Sequence, residues 1–384
     1  MKVRAQYRCQ YLFLFLLMVT RLAKGSAYVT AEPFLDLQAR HVINLTQAAY
    51  CSDQLEGWNC TFCADFPGMR NVSKLHGQRR NVRGYIGIDI GHDFGEDEET
   101  SSNAWHTSRG EETNSGYEAV AFNVEQSVRR EMLDTGESAS PERVVVTFSG
   151  TNPRSIKNWV DDLEASLVPH SYANGTSCIG CKVHDGFLAA YEVVQDQVRT
   201  TVAEHLERYP NAEVLITGHS LGAALATLCF LDLQYHLDVA LFAPLYIFGS
   251  PRVGNAAFAR FAASQGVPIF RIVHFRDIVP HLPLHMWGYH HPPTEVFYDF
   301  EQDSYVVCDG TGEDPSCSAQ FWVVPSRSTI LDHLNYLGVD YTKCKRRCGM
   351  TPGRDTEDED GDEMMDGWDW LEEEEEYEAY LRQF

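Results

Sequence analysis

Positive charge is scarce in this 384-residue chain: 31 Lys and Arg stand against 55 Asp and Glu, for a net charge of −24. A body that binds nucleic acid needs basic patches, so that class is excluded. Long apolar runs are lacking too. After residue 27 no stretch stays apolar for long enough to cross a bilayer. No internal repeat is visible. Apolar residues make up 44% and charged residues 22%, the proportions of an ordinary globular body.

The charge is uneven. Residues 1–27 carry five basic residues and no acid. Residues 354–384 carry fifteen acids and two arginines, which leaves −16 for the body between them. Basic Met1–Gln10, a nine-residue apolar run Tyr11–Val19 and the small residues Gly25-Ser26-Ala27 predict a signal peptide over 1–27. Arg21 and Lys24 leave an uncleaved membrane anchor as the alternative. The expected organisation is the signal, one domain over 28–353 with an exposed acidic insertion at 91–116, and an acidic disordered tail over 354–384. The tail's aromatic residues suit docking on a partner that the sequence does not identify, or back on the body. Eleven cysteines agree with secretion. Cys9 leaves with the signal and Cys229, in an apolar helical stretch, reads as a buried thiol. The remaining eight suffice for four disulfides. Zinc is disfavoured at Cys60-x-x-Cys63 and Cys178-x-x-Cys181, which lie far apart in the chain. Sequons begin at Asn44, Asn59, Asn71 and Asn174.

Periodicity predicts helices over 34–50, 186–209, 221–237 and 255–265. It predicts strands over 84–90, 118–126, 143–149, 213–217, 244–248 and 269–275, with a late hairpin or edge pair at 295–300 and 320–324. This alternation implies an α/β fold whose sheet is largely parallel in its middle.

Gly218-His219-Ser220-Leu221-Gly222 follows an apolar strand and opens a helix rich in small residues, the context that a nucleophile elbow requires. Ser220 is therefore the candidate nucleophile, and His219 reads as structural. A serine hydroxyl needs a base to take its proton and a carboxylate to hold that base. The candidate acids are Asp277, at the carboxyl edge of a strand, and Asp299. Of the histidines downstream, His333 lies well past the next elements and is favoured. His285 and His290, in the crowded stretch PHLPLHMWGYHHPP, are the alternatives. Ile156, Trp159, Val160 and Leu163 form one apolar stripe of a short helix.

Six ordered segments resemble the fungal-type class 3 lipases of the α/β-hydrolase fold: FSGTNPRSIKNWVDDL (148–163), VHDGFLAAY (183–191), ITGHSLGAALATL (216–228), FGSPRVGNAAFARF (248–261), RDIVPHLP (276–283) and DHLNYLG (332–338). The resemblance implies a central, mostly parallel sheet flanked by helices. It also implies a Ser220–Asp277–His333 triad, an oxyanion hole at Thr151 and Leu221, and an amphipathic lid helix carrying Ile156, Trp159, Val160 and Leu163. It suggests disulfides Cys51–Cys344, Cys60–Cys63 and Cys308–Cys317, with Cys178–Cys181 as an addition and Cys348 left over. No metal or cofactor is implied. The expected activity is a secreted triacylglycerol lipase that touches a membrane or droplet surface transiently. Phospholipase A1, galactolipase and feruloyl esterase chemistry are the alternatives on the same fold, and a binding or toxin-like protein is the alternative from another class.

Overall fold

A computed structural model describes residues 33–51, 54–77, 80, 82–90, 142–163, 165–172, 178–237, 239, 241–321, 329–344 and 348. The signal segment 1–27, the insertion 91–116, the strand expected over 118–126, the Asn174 sequon and the tail 354–384 lie outside them.

The described strands, in chain order, are β1 (Met69–Gly77), β2 (Val82–Asp89), β3 (Arg143–Phe148), β4 (Leu167–Pro169), β5 (Lys182–His184), β6 (Glu213–His219), β7 (Leu245–Phe248), β8 (Gly254–Asn255), β9 (Ile269–His274), β10 (Tyr289–His290), β11 (Glu295–Tyr298), β12 (Tyr305–Val307), β13 (Asn335–Tyr336) and β14 (Val339–Asp340). Eight of them form one sheet in the order β1-β2-β3-β6-β7-β9-β11-β12. Its middle, β3 to β11, is parallel throughout. Antiparallel pairs close it at both ends. The central strands are buried along their length, Val214, Leu215 and Ile216 in β6 and all four residues of β7. That is the composition of a parallel sheet covered on both faces. β12 pairs with β11, so the edge partner is Tyr305–Val307 and not residues 320–324, of which Gln320 and Phe321 lie in a 3-10 turn. The α/β class and the parallel middle follow the sequence expectation.

The helix Leu221–His236 is strongly apolar, and Gly222 to Leu233 are all buried. Gly222, Ala223, Ala224 and Ala226 give it the small surface that lies against β3 and β6. The stretch expected as one helix over 186–209 is two, Asp185–Glu192 and Gln195–Arg208. The break falls on Val193-Val194, two adjacent β-branched residues whose restricted χ1 disfavours helix. The N-terminal helix Asp36–Ala49 buries Val42, Ile43, Leu45 and Ala48.

Four disulfides are formed: Cys51–Cys348, Cys60–Cys63, Cys178–Cys181 and Cys308–Cys317. Cys348 therefore takes the place expected of Cys344. The two sit one helical turn apart, with the Cys348 N–H donating to the Cys344 carbonyl at 2.9 Å. Cys229 and Cys344 are buried thiols. Asn59 and Asn71 are exposed, whereas the Asn44 sequon is built inward. Its Thr46 is fully buried and bonded to the Tyr341 hydroxyl at 2.6 Å.

Candidate active site

β6 ends at His219, and the helix Leu221–His236 begins two residues later. Ser220 makes the whole turn. Its φ of 59° and ψ of −130° lie where L-residues are strained. The turn is held by the Ser220 N–H, which donates to the Phe248 carbonyl at 2.9 Å. The strain also needs two empty flanks. A Cβ on Gly218 would run into the Gly222 carbonyl, and one on Gly222 would meet the Phe148 carbonyl. The helix then places the Leu221 N–H at its first turn, where no preceding carbonyl can accept it.

Asp277 lies just past β9, in a turn that bridges Thr329. Its carboxylate is fully buried and has three donors. Oδ2 pairs with His333 Nδ1 at 2.8 Å and accepts the Tyr336 hydroxyl. Oδ1 accepts the Val279 N–H at 2.8 Å. His333 closes the short helix Ile330–His333 and is fully buried. Because Nδ1 faces a carboxylate, Nε2 is the nitrogen left to act as base. Ser220 Oγ and His333 Nε2 are both buried, and neither has a hydrogen-bond partner. Gly249, at φ 55°, lies against the Asp277–His333 pair: a Cβ there would sit 2.9 Å from Asp277 Oδ2 and 3.0 Å from the His333 ring. Only glycine suits that position.

The alternatives are placed elsewhere. Asp299 turns its carboxylate to the Asp303 N–H and to Ser304 in an exposed turn. His285 and His290 gather with Glu313. His281 and His291 are buried, and burial holds both pKa values down, that of His281 to about 4.

His219 is more than filler. Its ring stacks on Tyr341 at 3.9 Å and on His333 at 4.6 Å. Burial pushes its pKa well below the usual value, so the ring is neutral. Nε2 lies 2.9 Å from the His333 carbonyl, which can only accept, and this fixes the proton on Nε2. Nδ1 must then accept from the Tyr50 hydroxyl, 2.8 Å away. That hydroxyl in turn accepts the Gly150 N–H at 2.9 Å. One chain of hydrogen bonds thus joins the Ser149-Gly150-Thr151 loop, the nucleophile turn and the histidine. A Cβ on Gly150 would come within 2.6 Å of both Ser220 Cβ and the Tyr50 hydroxyl, so the loop is seated directly on the turn.

The helix Ile156–Asp161 has its apolar side inward. Ile156 is buried, and Trp159 and Leu163 pack on the main core, with the Trp159 ring stacked on Phe187 at 6.3 Å and 18°. Val160 is half-buried, while Lys157, Asn158, Asp161 and Asp162 face out.

With the site laid out, comparison with known proteins decides its kinship. The model of the class 3 lipase family matches residues 145–287. Residues 145–287 belong to the class 3 lipase family. A lipase of Rhizomucor miehei is 41% identical over 208 residues, 53% of this chain and 54% of that protein. The secreted mono- and diacylglycerol lipase A of Penicillium cyclopium is 41% identical over 154 residues, 40% of this chain and 47% of the other. The chain thus spans about half the length of the curated relatives it matches. Among solved structures, a triacylglycerol lipase described as having a serine-protease triad superposes with a TM-score of 0.59 at 29% identity, covering 80% of this chain and 96% of the other. The lipase of Rhizopus microsporus var. chinensis gives 0.59 at 26% identity, covering 83% and 96%.

Within this class 3 lipase fold, sequence reasoning passed over Tyr50 and Tyr336. Tyr50 carries no motif of its own, and its place beside Gly150 comes from the packing of the N-terminal helix. Tyr336 lies in the quoted segment DHLNYLG, three residues after His333, and that spacing was the available signal.

Proposed function

We propose that the protein is a secreted serine carboxylic-ester hydrolase that acts on long-chain acylglycerols at a lipid surface. The observation that carries this reading is the buried pairing of His333 Nδ1 with Asp277 beside a serine held in a strained strand-to-helix turn. His333 Nε2 takes the Ser220 proton as Oγ attacks the ester carbonyl. The oxyanion is met by the N–H groups of Leu221 and Thr151, with the Thr151 hydroxyl beside them. Each such donor is worth about 2.7–4 kcal/mol of barrier. The imidazolium then gives its proton to the leaving alcohol. Water, activated by the same nitrogen, attacks the acyl-enzyme and releases the fatty acid. No step needs a metal or a cofactor.

The helix Ile156–Asp161 supports the lipid-surface part of the reading. Exposing Ile156 to water costs about 1.5–3 kcal/mol, a bias of roughly 10- to 150-fold toward the inward position. A lipid surface removes that cost, so Ile156, Trp159, Val160 and Leu163 serve as the lid's contact with it. Secretion is supported by the four disulfides and by the basic–apolar–small pattern of 1–27. Among the described residues no helix is long and apolar enough to cross a membrane. The test is the rate of tributyrin hydrolysis across its solubility limit, followed by a long-chain triacylglycerol. A jump as droplets appear is expected. Smooth saturation below the limit, with no activity on the long chain, overturns the triacylglycerol assignment.

A further inference from the structure

The histidine-rich stretch PHLPLHMWGYHHPP is not used by the proposed chemistry, yet two of its histidines are brought together with an acid from another segment. One ring nitrogen each of His285 and His290 and a carboxylate oxygen of Glu313 all lie within 4.8 Å of one another. We propose that these three side chains bind a divalent zinc ion, at a site separate from Ser220 and His333.

Two imidazoles and one carboxylate form a donor set that zinc accepts, with a fourth position left to water. Ligand atoms around tetrahedral zinc sit roughly 3.3 Å apart, given bonds of about 2.0–2.1 Å. The three ligand atoms lie within 4.8 Å of one another, and the structure leaves room for them to close to the zinc spacing. His285 is exposed, in the 3-10 turn His285–Trp287, so its ring can swing. The other two ligands are already oriented. His290 Nδ1 donates to the His291 carbonyl at 2.8 Å, which leaves the lone pair on Nε2. A histidine ligand is commonly held in this way through its second nitrogen. Glu313 Oε1 accepts from Arg252 Nε at 2.8 Å and from the His291 N–H at 3.0 Å, which uses both its lone pairs. Oε2 accepts only Arg252 NH2, at 2.6 Å, so one lone pair remains there for a metal. The backbone fixes the spacing as well. The loop bearing Glu313 is closed by Cys308–Cys317, and Gly312, at φ 85°, lies so close to the His291 carbonyl that no Cβ fits between them.

A bound ion would tie the turn His285–Trp287, whose Met286 and Trp287 are 82% and 50% exposed, to the body of the protein. Zinc is the occupant favoured over calcium, because two of the three donors are nitrogen.

The test is a calorimetric titration of the full-length secreted protein with Zn2+, paired with Co2+ absorption as a report on coordination. One ion per chain with a micromolar or tighter Kd is expected, together with visible Co2+ bands of a four-coordinate centre. His285→Ala removes an exposed ligand and should weaken binding at least tenfold, as should His290→Ala. Both variants should keep their hydrolysis of a dissolved ester in the absence of zinc, which shows that they fold. No saturable binding by the wild-type protein, or binding unchanged in both folded variants, overturns the proposal.

Discussion

Replacing Tyr50 with phenylalanine removes one oxygen that serves two partners. The ring still fills its place, so no cavity is made. The Gly150 N–H loses its acceptor, 2.9 Å away, and His219 Nδ1 loses its donor, 2.8 Å away. A stranded polar group costs about 1–3 kcal/mol, so the pair costs about 2–6 kcal/mol. In a domain of this size that lowers Tm by roughly 5–15 °C. The rate effect follows from position. Gly150 precedes Thr151 in the proposed oxyanion loop and rests on Ser220, and a misplacement of about 1 Å near reacting atoms costs about 100-fold. Tyr50→Phe should therefore lower kcat 10- to 100-fold on a dissolved short-chain p-nitrophenyl ester, with KM changed less than threefold. A dissolved substrate keeps the lid out of the readout. If kcat stays within twofold of wild type and Tm within a degree, the hydrogen-bond chain does not position the site.

Acid should destabilise the fold through its buried histidines. His281 has a pKa lowered to about 4, first by desolvation, and His219 and His291 are lowered for the same first reason. Below about pH 6.5 the unfolded chain takes up protons that the native state refuses. Stability is then full above 6.5 and falls as pH drops, with about 3 kcal/mol from His281 lost by pH 4. A Tm that does not change between pH 7 and pH 5 contradicts this. Asp277→Asn should lower kcat roughly 10^3- to 10^4-fold while leaving the far-ultraviolet spectrum intact, because His333 loses the carboxylate that fixes its tautomer and balances the imidazolium charge. Activity within tenfold of wild type would exclude Asp277 as the acid. Cys348→Ser should cost about 2–5 kcal/mol in chemical denaturation, and Cys344→Ser much less, because the bridge from Cys51 closes on Cys348. The reverse ranking would return the bridge to Cys344.

The parts legible in the sequence were those encoded locally. An apolar strand, G-H-S-L-G and an apolar helix specify the Ser220 turn within about 25 residues, because strain, close approach and burial each demand a residue type there. The parallel middle of the sheet followed from helical stretches alternating with short apolar strands such as β6 and β7. What escaped was set by distant packing. β1 has an irregular pattern with a bulge between Arg70 and Ser73, so alternation gave no signal for it. The edge strand Tyr305–Val307 is exposed along its length and lacks a buried face to reveal it. Tyr50 and His219 share a hydrogen bond across 169 residues, and nothing in either neighbourhood announces the other. The choice of Cys348 over Cys344 turned on a single helical turn. His285 and His290 were weighed as bases, but their grouping with Glu313 depends on a loop more than twenty residues further on.

The central claim is that Ser220 is the nucleophile of an ester hydrolase, and covalent labelling tests it most directly. The secreted protein would be treated with a p-nitrophenyl alkylphosphonate in the presence of detergent and mapped by mass spectrometry. One adduct per chain is predicted, on the peptide bearing Ser220, with hydrolysis lost in step with labelling and neither seen in a folded Ser220→Ala variant. Labelling at another residue, or hydrolysis that survives in Ser220→Ala, would contradict the assignment.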